Sequence, residues 1–294
     1  MFEGRVAIVT GAGRGLGREH ALLLASEGAA VVVNDLGGAT DGSGSDVGPA
    51  GSVVGEILAA GGSAIANTDD VSDWDGARHL VQQAVDEFGR LDILINNAGI
   101  LRDRMLVNLT EDEWDVVMRV NAKGHAAPLR HAAAYWREQA KEHGSVTAAV
   151  VNTSSPSGLF ANVGQANYGA AKVAVAGLTM IAAKELGRYG VRVNTIAPAA
   201  RTRLTGPGSG EPSDPQAFDR MDPANVAPWV AYLASERCTM TGRCFVVYGG
   251  SVVLVEPWRA TASIEQPGKW TLDQLVERGP ELDVEFESNN PFGY

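Results

Sequence analysis

Tyr168 and Lys172 stand four residues apart at the end of the stretch 152–172, Asn-Thr-Ser-Ser-Pro-Ser-Gly-Leu-Phe-Ala-Asn-Val-Gly-Gln-Ala-Asn-Tyr-Gly-Ala-Ala-Lys. Residues at that spacing share one face of a helix, which brings the ammonium close to the phenol. A free phenol ionises near pH 10 and is a poor base in neutral water. A neighbouring cation favours the phenolate, and that makes an acid or base usable near neutral pH. The alternative is a core aromatic beside a solvated lysine, so the elements around the pair have to decide.

Upstream of the pair lies the end of an apolar run, 146–151, broken by Pro156 and Gly158. A helix is expected over 166–186 and a further strand over 191–196. The amino-terminal end supplies a second feature. Val6 to Val9 is a β-branched run of a buried strand, and Thr10-Gly11-Ala12-Gly13-Arg14-Gly15-Leu16-Gly17 follows it into a helical pattern ending near Gly28. Glycines there let backbone approach a pyrophosphate, and the helix start offers N–H groups and a positive dipole end. The next strand, 29–33, ends at Asn34-Asp35, where an acid can accept from both hydroxyls of an adenosine ribose and repel a 2′-phosphate. Arg14 pulls the other way, toward NADP, but Asp35 occupies the strand end and carries more weight.

The pattern repeats. Helix 52–60, strand 64–67, the turn Asp69-Asp70-Val71 and a capped helix from Ser72-Asp73 lead to strand 91–95 and Asn96-Asn97-Ala98-Gly99. Those amides either tie the crevice together or touch a ligand in it. Thr110-Glu111-Asp112-Glu113 reads as a capping box, and Asn121 within the following helix is either a helix-bending amide or a functional one. Strand–helix alternation without internal repeats implies a Rossmann-like doubly wound α/β fold, a seven-stranded parallel sheet with helices on both faces. Residues 1–255 form one domain. The polar extension 256–294 carries Trp258, Trp270, Phe286 and Phe292, enough aromatics to expect packing on the domain or a neighbouring subunit. The glycine-rich 37–51 is expected to be a surface loop or disordered, and 201–221 a substrate lid or a plain excursion.

Composition sets outer limits. The 294 residues are 45% hydrophobic with a net charge of −11, which suits a globular small-molecule protein and argues against nucleic acid and anionic membranes. No run is long and apolar enough to span a bilayer, and a cytoplasmic protein is expected. Cys238 and Cys244 lack companions for a zinc site, so buried free thiols are expected and no metal.

Taken in order, Thr-Gly-x-x-x-Gly-x-Gly at 10–17, Asn-Asn-Ala-Gly at 96–99 and Tyr-x-x-x-Lys at 168–172 resemble the short-chain dehydrogenase/reductase family. The resemblance implies Asn121, Ser155, Tyr168 and Lys172 as catalytic residues. It implies a dinucleotide held by Gly11, Arg14, Gly15, Leu16, Gly17, Asp35, Asp70, Val71, Asn97, Ala98, Gly99 and Pro198, with Tyr168 and Lys172 at its nicotinamide end. Lys172 would also bond the nicotinamide ribose, and Asn121 would hold a water leading from Lys172 to solvent. NAD is expected in preference to NADP, in a homodimer or homotetramer. Residues 31–38, 96–104, 164–168 and 194–198 further resemble the (3R)-hydroxyacyl-CoA dehydrogenase unit of peroxisomal multifunctional enzyme type 2, a group that includes 17β-hydroxysteroid dehydrogenases. Ala199 departs from the glycine usual there. The resemblance implies interconversion of a secondary alcohol and a ketone on an acyl-CoA, or on a steroid-like substrate. Arg201 and Arg203 are candidates to meet CoA phosphates. A cofactor-binding sensor without turnover is the alternative class, though such a protein would be expected to lack Tyr168 or Ser155.

Overall fold

Runs of valine, isoleucine and alanine form strands buried on both faces, which is how parallel sheets read in sequence. In the computed structural model, which describes residues 1–39, 41, 43–44, 48–203, 217–256 and 258–284, these strands make one sheet. They are β1 (Val6–Thr10), β2 (Ala30–Asn34), β3 (Ser63–Asn67), β4 (Ile93–Asn96), β5 (Ala148–Thr153), β6 (Val191–Pro198), β7 (Cys244–Tyr248) and β8 (Ser251–Val255). The order is β3-β2-β1-β4-β5-β6-β7-β8. The first seven are parallel, as the strand–helix alternation implies. The eighth corrects the expected count: β8 returns antiparallel to β7, with Tyr248 opposite Ser251 across Gly249-Gly250. Gly249 has φ +51, and a two-residue loop of this kind reverses the chain without a helix.

Helices α1 (Gly15–Ser26), α2 (Gly48–Ala59), α3 (Trp74–Phe88), α4 (Glu111–Val117), α5 (Gly124–His143), α6 (Pro156–Leu159), α7 (Ala166–Leu186) and α8 (Ala227–Ala234) cover the sheet. One core cluster joins α1, α2 and α8 to one face, and a second joins α3, α5 and α7 to the other. Caps are local. Asp73 accepts from Gly76 N at 2.7 Å, and the Thr110–Glu113 capping box forms as the sequence suggests. Helix α2 begins at Gly48, four residues earlier than expected, because Pro49 suits a first turn. Part of the 37–51 loop and most of the expected lid lie outside the described residues.

Two polar features of the core matter below. His20 on α1 is 1% exposed, and neither ring nitrogen has a partner among the described residues. Burial pulls it down to about 3. Cys238 and Cys244 are buried free thiols, and burial pushes Cys244 up to about 12.

The chain divides into two units, Met1–Val255 and Glu256–Tyr294. The second contains α9 (Leu272–Arg278), opened by a Thr271–Gln274 capping box. Within it Arg278 bonds Glu281 and lies over the Trp270 ring. Phe286 and Phe292 lie outside the described residues.

Candidate active site

Strand order reverses between β1 and β4, and a crevice opens there at the carboxyl ends of the strands. Its two lips are stitched together. Thr10 Oγ1 accepts from Asn97 N at 2.9 Å and Ala98 N at 3.1 Å, while Asn97 Nδ2 donates to the carbonyls of Thr10 and Gly11 at 3.0 and 3.1 Å. The Asn-Asn pair therefore ties the crevice. Asn96 does so one layer deeper, donating to Asn152 Oδ1 and to the His125 carbonyl.

The glycine loop divides into two roles. A methyl group on Gly17 would stand 2.2 Å from the Gly11 carbonyl and 2.6 Å from Asn97 Nδ2, so Gly17 exists for close packing and does not line the crevice. Gly15, at φ +53, is uncrowded, since a methyl there would only touch the Thr202 side chain, at 3.5 Å. Arg14 is the extended residue before α1, and its side chain does not cap the helix. An anion at that helix start would meet backbone N–H groups and the positive dipole end. Asp35 is fixed at the end of β2, accepting from Gly13 N at 2.8 Å through Oδ2 and from Gly37 N at 2.7 Å through Oδ1. Each carboxylate oxygen keeps further acceptor capacity.

From this loop a cleft of about 500 Å³ runs across the sheet's carboxyl edge. Gly11, Arg14, Gly15, Leu16 and Asp35 line one end. Asp70, Val71, Asn97, Ala98 and Gly99 line its middle, and Ser155, Tyr168, Lys172 and Pro198 the other end. Asp70 holds its turn through Ser72 and faces Arg119 at 3.6 Å. The size, the open glycine and the bare helix start fit a dinucleotide.

At the far end, Ser155 caps α6, and its Oγ accepts from Ser157 N at 3.2 Å. The same hydroxyl is near enough to the Tyr168 phenol to draw it down. Gly158 lets α6 lie directly on α7, since a methyl there would be 2.9 Å from Val173 N. Ser154 Oγ donates to the Lys172 carbonyl at 2.7 Å, a structural bond between the end of β5 and α7. Lys172 is 2% exposed, donates to the Thr153 carbonyl at 2.8 Å, and places Nζ 5.6 Å from the Tyr168 ring centre.

The expected electrostatics need correcting. Burial pushes the Tyr168 phenol up to about 12; the Ser155 hydrogen bond draws it back in part, and the Asp103 carboxylate raises it again. Burial also pulls Lys172 down to about 7. Desolvation is the leading cause for both groups, and it disfavours a phenolate beside an ammonium in the protein alone.

Asn121 lies behind this end and does not line the cleft. It sits in a π-helical turn, Met118–Lys123, where Nδ2 donates to the Ile100 and Val117 carbonyls at 3.0 and 3.1 Å. Its Oδ1 is buried without a partner among the described residues, and a methyl on Gly99 would stand 2.7 Å from it and 3.5 Å from Lys172 Nζ. The amide thus both shapes the helix and presents an acceptor beside Lys172. Arg201 pairs with Asp219, whereas Arg203 stands at the cleft rim within the fields of Arg14 and Asp35.

Sequence reasoning missed three groups. The Thr153 carbonyl holds Lys172, and the Thr153 N–H donates to His125 Nε2 at 3.4 Å. His125 is fully buried and held well below the usual imidazole range by burial and by Lys172. Asp103 lines the cleft near Tyr168. A backbone carbonyl leaves no sequence signal, but Asp103 lies in the 96–104 stretch already singled out.

The family described as short chain dehydrogenase matches residues 5–207. The chain belongs to that family. A hydroxyacyl-CoA dehydrogenase of Mycobacterium tuberculosis, ChsB1, is 48% identical over 265 residues, spanning 87% of this chain and 81% of that protein. A crystal structure of a short chain dehydrogenase from Mycobacterium avium superposes with a TM-score of 0.85 at 50% identity, covering 95% of this chain and 94% of the other. Full-length peroxisomal multifunctional enzyme type 2 from Drosophila melanogaster gives 0.74 at 33% identity, covering 96% of this chain and 46% of that one. This dehydrogenase is therefore an oxidoreductase acting on CH–OH donors with a nicotinamide dinucleotide, NAD or NADP. Among the described residues no helix is long and apolar enough to cross a membrane.

Proposed function

We propose that this dehydrogenase interconverts a 3-hydroxyacyl-CoA and the 3-oxoacyl-CoA, using NAD in preference to NADP. The observation that carries the reading is the joining of Ser155, Tyr168 and Lys172, by one continuous cleft, to a glycine loop flanked by Asp35. The substrate class is supported by the similar proteins, a hydroxyacyl-CoA dehydrogenase among them.

In the oxidation the alcohol carbon gives up a hydride and the alcohol oxygen a proton. The oxidised nicotinamide, when bound, accepts the hydride and brings a positive charge. Tyr168 takes the proton, and Ser155 hydrogen-bonds the substrate oxygen as its charge changes. A phenol near 12 is too weakly acidic to act as base at neutral pH, so a cation beyond Lys172 has to lower it. Lys172, drawn down to about 7, both gains and loses a proton at neutral pH and can pass the tyrosine's proton onward. Asn121 Oδ1, unpartnered among the described residues at the edge of this group, offers the acceptor for a relaying water.

Asp35 supports NAD, because its anchored carboxylate sits where the adenosine ribose would lie and would repel a 2′-phosphate. Arg14 and Arg203 are the opposing charges. Following reduced nicotinamide by absorbance with 3-hydroxyacyl-CoAs, hydroxysteroids and simple secondary alcohols tests the reading. Acyl-CoA turnover with higher kcat/KM for NAD is expected. Turnover of steroids without acyl-CoAs would reject the substrate class, and a clear advantage for NADP would reject the cofactor preference.

A further inference from the structure

Asp103 brings a negative charge to the substrate end of the cleft, and the proposed chemistry has no use for it. It lines the cleft with Ser155 and Tyr168, and its field reaches the phenol, raising it. The other lining acids, Asp35, Asp69 and Asp70, follow β2 and β3, whereas Ser155 follows β5 on the far side of the reversal point.

The carboxylate is held in place. Gln165 Nε2 donates to Asp103 Oδ2 at 2.9 Å, and Gln165 immediately precedes α7. Arg104 N donates to the Gly164 carbonyl at 2.8 Å. Asn167 Nδ2 donates to the carbonyls of Arg102 and Glu113, each at 3.0 Å, and Arg104 pairs with Glu113 at 2.8 Å. The segment bearing Asp103 and the first turn bearing Tyr168 are thus one tied unit.

We propose that Asp103 is a specificity determinant that admits substrates uncharged at the reacting end, accepting a 3-hydroxyacyl thioester and turning away the free 3-hydroxy acid. The proposal rests on the reading of the site as acting on acyl thioesters. In a free 3-hydroxy acid the carboxylate carbon is two bonds from the reacting carbon. With the alcohol held at Ser155 and Tyr168, that second negative charge falls within the field that Asp103 exerts at the phenol; the Asp103 carboxylate is itself exposed, so solvent screens the repulsion without cancelling it. A thioester places no charge at this position, and the CoA phosphates lie at the distant end of the pantetheine arm.

The test compares kcat/KM of the full chain with NAD for 3-hydroxybutyryl-CoA, the neutral N-acetylcysteamine thioester of 3-hydroxybutyrate, and free 3-hydroxybutyrate. Wild type, Asp103→Asn and Asp103→Glu are measured side by side. In Asp103→Asn the thioester-to-acid preference should fall about tenfold, and Asp103→Glu should retain it. The groups facing the phenol are Lys172 and Asp103, with His125 behind Lys172 across the Thr153 peptide. Removing the Asp103 charge should therefore also move the rising limb of the oxidation profile to lower pH. Thioester turnover with an unchanged preference in Asp103→Asn overturns the role of Asp103 alone. A wild type that oxidises neither thioester removes the acyl-thioester reading and the proposal with it.

Discussion

Replacing Lys172 by methionine should make the protein more stable while it stops turnover. Lys172 is 2% exposed, its amine donates to the Thr153 carbonyl, and burial lowers it from 10.5 to about 7. Between those values the unfolded chain holds a proton that the native state gives up, so the cost is full below pH 7, falls as pH rises from 7, and is gone above 10.5. At pH 7 that difference corresponds to about 4 kcal/mol of lost stability. Methionine fills a similar volume without the charge but leaves the Thr153 carbonyl without its donor, which costs about 1–3 kcal/mol. The net expectation is a gain of about 1–3 kcal/mol, measured as a higher urea midpoint at pH 7 with unchanged slope. A second readout isolates the cause: between pH 7 and pH 9 wild type should gain about 2 kcal/mol on Lys172→Met. A variant that is less stable than wild type, with the same pH dependence, would refute the picture of a buried amine held at the expense of the fold.

Acid sensitivity should trace in part to His20. Its ring takes a proton near pH 6.5 when unfolded but only near about 3 when folded. Stability is therefore lost as pH falls below 6.5, by about 2 kcal/mol at pH 5. His20→Leu should shrink the difference in unfolding free energy between pH 7 and pH 5, measured in urea, by that amount, and an unchanged difference would mean the ring is not buried neutral. Gly17→Ala drives a methyl against the Gly11 carbonyl and Asn97. The resulting loop shift should weaken dinucleotide binding by about tenfold to a hundredfold and cost about 1–3 kcal/mol, read by calorimetric titration and denaturation.

Much of the site was legible because its signals are local. The helix over 166–186 and the capping box at Thr110 depend on neighbours a few residues away, and both form over the residues read. The loop at 10–17 was legible as a ligand loop, but the division of labour between Gly15 and Gly17 was not. That depends on Asn97, 80 positions further along the chain, lying against one glycine and not the other. β8 was missed because a short apolar run after Gly249-Gly250 does not announce its direction; the hairpin does. The electrostatics misled for a related reason. Helical spacing brings Lys172 toward Tyr168, but only the packed structure shows Lys172 buried and Tyr168 half-buried, with desolvation leading for each.

The central claim is that Tyr168 exchanges the substrate's proton at the end of a dinucleotide cleft, and Tyr168→Phe tests it most directly. The phenylalanine keeps the ring and removes only the phenolic oxygen. Oxidation of the best 3-hydroxyacyl-CoA should fall by about a thousandfold or more, with the Kd for the reduced dinucleotide within about threefold of wild type. Turnover within tenfold of wild type, at intact dinucleotide affinity, would contradict the account.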